Sequence, residues 1–137
     1  MHPKTIALQA RTQKFAVDVI RLCDTLPKDA GTQSIVSQLV DAAGASDSNY
    51  RAACRGRSKA EFIAKLGVAV EEADESKGWL QLLVESNRVS VDQAGALIQE
   101  ANELTAIFVK SRKTAEQRKA DQDRLEKQLR RTRRRPR

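Results

Sequence analysis

The stretch Asn49-Tyr50-Arg51-Ala52-Ala53-Cys54-Arg55-Gly56-Arg57-Ser58, continued by Lys59-Ala60-Glu61-Phe62-Ile63 and reaching Glu71-Glu72-Ala73-Asp74-Glu75, decides the fold. Gly56 stands where a glycine commonly ends a helix. Two residues later Ser58 and Glu61 match a capping box, in which hydroxyl and carboxylate satisfy each other's backbone N–H groups. From there Phe62, Leu66, Ala69, Ala73, Ser76, Leu80 and Leu83 recur in steps of four and three, the heptad seam of a helix packed lengthwise on others. A helix, a turn and a second, longer helix follow from one block.

Working outward, the same period recurs on both sides. Phe15, Val19, Leu22 and Leu26 mark a first helix over about Thr5 to Leu26, with Ile20 and Cys23 widening its stripe. Pro27 ends it, because proline disfavours helix at the residue before it, and Lys28-Asp29-Ala30-Gly31 reads as a turn. Thr32 or Ser34 opens a second helix whose apolar face is Ile35, Val36, Leu39, Val40, Ala42 and Ala43. It continues through the weak helix formers Gly44 to Ser48, whose small side chains permit close approach of another helix. Ser90 with Gln93 caps a fourth helix, on which Ala94, Leu97, Ala101, Leu104 and Phe108 repeat the seam. Short connections favour antiparallel neighbours. The expected fold is all-α: an antiparallel up-down-up-down four-helix bundle in residues 1–114, followed by a basic tail, 115–137, that extends the last helix or is disordered.

Composition narrows the function classes. The 137 residues suit one domain, and only 4% are aromatic, so Ala, Leu, Val and Ile must fill the core. No apolar run reaches the length of about 18 residues that suggests a membrane span. The N-terminus lacks the pattern of a secretion signal, so a cytoplasmic location is expected. Cys23 and Cys54 are then reduced thiols that pack as small hydrophobes. His2 is the only histidine, which leaves too few ligands for zinc and no base to activate Cys54. No cofactor and no enzymatic activity are expected. The formal net charge of +7 is unevenly distributed: residues 110–137 hold 13 Lys and Arg against 4 Asp and Glu, whereas residues 1–109 hold 12 against 14.

The block that opens this section resembles the four-helix-bundle proteins of the 23S ribosomal RNA intervening-sequence family. The likeness extends to Leu8-x-x-Arg11-Thr12-x-x-Phe15-Ala16, Leu26-Pro27, Gln38-Leu39, Phe62-Ile63-x-Lys65-Leu66-Gly67, Trp79-Leu80, Glu103-Leu104-x-x-Ile107-Phe108 and Ser111-x-Lys113-Thr114. It covers about residues 6–114. The resemblance implies a bundle that assembles with itself into a ring, typically a homopentamer, without enzymatic activity. Similar bundles serve as accessory proteins of diversity-generating retroelements, where they bind nucleic acid and a reverse transcriptase, and they carry basic body surfaces. Here the body is slightly acidic and the basicity lies in the tail.

Two groups of residues are candidates for function. Lys127, Arg130, Arg131, Arg133, Arg134, Arg135 and Arg137 form a run able to neutralise phosphates of RNA or DNA. Arg51, Arg55 and Arg57, with Lys59, crowd the second turn, where they either hold a phosphate or pair with Glu71, Glu72, Asp74 or Glu75, within the bundle or across a subunit boundary. The same carboxylates admit a Mg²⁺ or Ca²⁺ reading at Glu71 and Glu75, and Tyr50 and Trp79 admit stacking on bases or a place in the core. Two readings follow: an oligomeric scaffold that binds nucleic acid through its tails, or a protein-interaction module whose tail meets an acidic partner.

Overall fold

The computed structural model describes residues 1–136, and these form four helices and no strand. They are α1 (Pro3–Asp24), α2 (Ala30–Cys54), α3 (Lys59–Glu85) and α4 (Val91–Arg134). α2 packs on α3, α3 on α4, and α1 on both α2 and α4, with the α1–α4 seam the sparsest. Cross-helix contacts tie Thr12 to Asp47, Arg11 to Glu100, Lys77 to Asn102 and Lys59 to Gln122.

The boundaries follow from local chemistry, and several differ from the expected ones. α1 begins at Pro3 rather than Thr5, because proline is favoured at the first helical position and the His2 imidazole accepts the Lys4 N–H at 3.1 Å. α2 begins at Ala30, so Ala30 and Gly31 belong to the helix and not to a turn; the cap is Asp29, whose carboxylate accepts the Thr32 N–H at 3.0 Å. Ser58 caps α3 as expected, but Glu61 accepts the N–H of Arg57 at 3.1 Å, one residue upstream of the box position. Ser90 and Gln93 form the full capping box of α4.

Gly56 follows the α2 cap without a left-handed backbone. A Cβ there would stand 3.0 Å from the Ala53 carbonyl oxygen and 3.2 Å from the Phe62 nitrogen. Glycine is required by close passage of two helix ends. The left-handed position falls at Asn87, φ 59°, where the Arg88 N–H reaches the Leu83 carbonyl and the Asn87 N–H reaches that of Val84, a Schellman ending for α3. Gly44 has open space around it within the chain, whereas Ser46, two residues on, is fully buried and Asp47 meets Thr12 of α1.

The seams meet in one core. Leu66, Ala69, Ala73, Ser76, Leu80 and Leu83 of α3 are fully buried, as are Ala94, Ala101, Leu104 and Phe108 of α4. They face Phe15 and Val19 of α1 and Leu39, Ala43, Tyr50 and Ala53 of α2. Ile20, read as part of the first stripe, is instead 45% exposed. Tyr50 stacks on Phe108 with ring centroids 5.3 Å apart. The Cys23 thiol is pushed up to about 11 by burial and by Asp24, which makes it a poor nucleophile at neutral pH.

Polar networks fasten the ends and the sparse seam. Thr12, fully buried, has its one hydroxyl proton between two acceptors, Asp47 at 2.8 Å and the Gln9 carbonyl at 3.0 Å, so one hydroxyl links α1 and α2. Arg11 forks onto Glu100 and reaches Glu103 at 3.4 Å, joining α1 to α4. Thr32 donates to Asp29 at 2.9 Å and accepts from Arg88 at 2.8 Å, which ties the first turn to the third.

The Thr32 N–H and hydroxyl, with the Arg88 guanidinium, hold the Asp29 carboxyl down to about 2. A carboxyl depressed on folding contributes stability above its unfolded pKa of about 4 and loses it as pH falls through its folded value. The melting temperature of the wild type is therefore expected to fall more steeply between pH 4 and pH 2 than that of Asp29→Asn. Parallel curves for the two proteins would show that the cap is not titrating.

Candidate nucleic-acid interface

α4 continues without interruption past the last core residue, Phe108, to Arg134. Beyond Ser111 the helix runs on for roughly 35 Å at about 1.5 Å per residue, flanked by the start of α3 as far as Gln122, which accepts from Lys59. Its side chains are exposed throughout from Asp121 onward. Charge pairing divides it into two zones. Arg112 pairs with Glu116 at 3.2 Å, Lys119 with Asp123 at 2.9 Å, and Arg124 with Asp121. Glu126, the last carboxylate side chain, accepts from Gln122.

From Lys127 onward no acidic side chain exists. Lys127, Arg130, Arg131, Arg133 and Arg134 stand exposed on the helix, and Arg135 is its C-cap. None of them enters an ion pair among the described residues. Arg137 lies outside the described residues. The distal tail is thus a rod of uncompensated positive charge. Cations in the last turn also meet the negative end of the helix dipole, which favours the helical state of a segment with no core to pack on.

The second basic cluster is arranged differently from its expected pairing. Arg51 bonds Asp47 at 3.1 Å, one turn back on its own helix. Arg55, Arg57 and Lys59 are exposed. Among the described residues, none of these cations pairs with Glu71, Glu72, Asp74 or Glu75. The reason is distance: Glu71 lies 12 positions beyond Lys59, about 18 Å along α3 from the turn. The carboxylates crowd one another instead. Burial, then Glu75, Glu71 and Asp41, raise the Glu72 carboxyl above its ordinary value.

The aromatic candidates are engaged within the chain. Tyr50 is buried against Phe108, and Trp79 packs on the core while its indole N–H donates to Glu75 at 3.1 Å. Among the described residues, no group of three metal-ligating side chains is assembled, and the Glu71–Glu75 reading gains no third ligand. No described helix is long and apolar enough to cross a membrane. The ion pairs of Arg11 with Glu100 and Glu103, and of Arg88 with Asp29, cannot be read from the sequence because their partners lie far apart along the chain. Only the placement of Arg11 four residues before the buried stripe position Phe15 hinted at the first.

Residues 4–111 match the family described as 23S rRNA-intervening sequence protein. The chain belongs to this family. The match ends three residues past Phe108, the last fully buried side chain of α4, so the charged distal segment lies beyond the matched residues. Among solved structures, the chain is similar to a protein of unknown function from the S23 ribosomal protein family of Bacteroides thetaiotaomicron VPI-5482, whose crystal structure is known at 1.70 Å. The TM-score is 0.74 at 24% identity, covering 80% of this chain and 98% of the other, a likeness of fold. No curated protein matches the chain.

Proposed function

We propose that this member of the intervening-sequence family is a non-enzymatic, cytoplasmic scaffold that assembles with copies of itself and binds RNA or DNA through its tails. The observation that carries the reading is the exposed helical segment from Lys127 to Arg134, with its cap Arg135, in which no carboxylate side chain occurs. An array of Lys and Arg without internal counter-charges neutralises phosphates and releases the cations condensed on the nucleic acid, and that release drives binding.

The proposed assembly is an antiparallel up-down-up-down bundle repeated in a ring of five. Cross-helix pairs support the topology, because partner numbers fall along one helix as they rise along the next: Arg11 meets Glu100 while Thr5 and Ser111 line one groove. The ring is supported by complementary surfaces that one chain cannot join. Arg55 and Arg57 lie exposed at a turn, and Glu71, Asp74 and Glu75 lie exposed midway along α3. Val68, at 36%, and Leu82, at 45%, are exposed apolar residues on the same helix. A ring presents several tails at once, so weak contacts add through effective concentration.

Light scattering is expected to give about five times the chain mass of 15.2 kDa, and gel shifts at two salt concentrations are expected to show affinity falling steeply with salt. A monomer at micromolar concentration would rule out the ring. A salt-insensitive complex, or none, would favour a protein partner for the tail.

A further inference from the structure

α3 begins beside α4 at the point where α4 leaves the bundle, and the two helices enclose a groove of about 440 Å³. Lys59, Phe62, Lys110, Ser111, Thr114 and Arg118 supply most of its lining, and no carboxylate contributes to it. Lys110, Thr114 and Arg118 recur every fourth residue, which places them in one row along α4. This row differs from the opposite side of the same segment. There Arg112 and Lys119 are neutralised by Glu116 and Asp123. Lys59 meets only a neutral amide, that of Gln122 at 2.6 Å, and neither Lys110 nor Arg118 enters an ion pair among the described residues.

The groove joins two chemistries. Its floor is apolar: Phe62 is half-buried, packed against the core on one side and facing the groove on the other. Its rim is cationic, with hydroxyls at Ser111 and Thr114. We propose that this groove takes one nucleotide unit of a single-stranded nucleic acid, its base against Phe62 and its flanking phosphates on Lys59, Lys110 and Arg118. A free base presents a π-face that an apolar floor can cover, whereas a duplex keeps its bases stacked inside and offers only phosphates. The position at the root of the tail suits such a role. The inference rests on the tail-binding reading above and adds the strandedness of the ligand.

Fluorescence anisotropy with labelled oligo(dT) and a DNA duplex of equal length tests it on the full chain. Phe62→Leu keeps an apolar side chain over the core and removes the aromatic face; circular dichroism checks that it folds. It is expected to weaken oligo(dT) binding by about fivefold or more while leaving duplex binding unchanged. Lys110→Glu/Arg118→Glu is expected to weaken oligo(dT) more than duplex. Arg130→Glu/Arg131→Glu, an equal charge change on the distal tail, is expected to weaken both alike. If Phe62→Leu has no effect, or the groove and tail variants act identically on the two ligands, the groove is not a nucleotide site, and tail binding stands. If the wild type binds neither ligand, both readings fall.

Discussion

Deletion of residues 115–137 is expected to leave a folded, assembled bundle that has lost most of its affinity for nucleic acid. The segment carries 10 Lys and Arg against 4 Asp and Glu, or +6 of the total +7, so the remaining chain keeps only +1. That is too little for general attraction to phosphate. The last fully buried side chain is Phe108, so the deletion removes no core contact and a cooperative melt is expected by circular dichroism. For the intact chain, each phosphate neutralised on duplex DNA contributes about −0.9 to the slope of log affinity against log salt. Contact with six to ten phosphates would cost about 10³- to 10⁵-fold in affinity between about 50 and 200 mM salt. The deleted form should show a slope near zero. An unchanged slope after deletion would move binding to Arg55, Arg57 and Lys59 at the second turn and overturn the tail reading.

Phe108→Ala is expected to be the most destabilising single substitution considered. Phe108 is fully buried and stacks on Tyr50, itself only 6% exposed, with the planes 23° apart. Truncating a buried Phe to Ala costs about 3–5 kcal/mol, from lost transfer energy and the cavity left behind. The aromatic pair adds about 0.5–1.5 kcal/mol beyond area burial. Against a total stability of about 5–15 kcal/mol for an ordinary domain, that is a large fraction. The pair also forms the last fully buried layer of α4, beside the groove shared with the start of α3, so the loss would loosen the root of the tail. Urea denaturation of the wild type, Phe108→Ala and Phe108→Leu measures it. Phe108→Leu should fall between the other two, because it retains much of the buried volume. A shift below about 1 kcal/mol for Phe108→Ala would contradict the central position of this residue.

Much of this protein is legible along the chain, because helical period, caps and charge runs are local properties. The seam Leu66, Ala69, Ala73, Ser76, Leu80, Leu83 is visible as spacing and is fully buried in the fold. Ser58 and Ser90 announce helix starts, and the carboxylate-free arginine run announces a cationic surface whatever its conformation. The candidate interface in the tail is legible for the same reason: its charges need no partner from elsewhere in the chain.

Tertiary structure decides whatever depends on which helix faces which. Thr32 and Ser34 look like caps in isolation, yet Asp29 caps α2, its carboxylate accepting the Thr32 N–H and also meeting Arg88 from the turn between α3 and α4. Gly56 looks like a left-handed helix ending, yet its role is the near contact of two backbones. Arg51 and the Glu71–Glu75 block are 20 residues apart in sequence and look like partners, but α3 carries the carboxylates away from the turn, and Arg51 finds Asp47 one turn back. The groove over Phe62 exists only because α4 outlasts α3 and passes its first turn. Spacing within a helix is set by the residues themselves, whereas contacts between helices are set by the packing that buries the seams, and only the assembled fold specifies them.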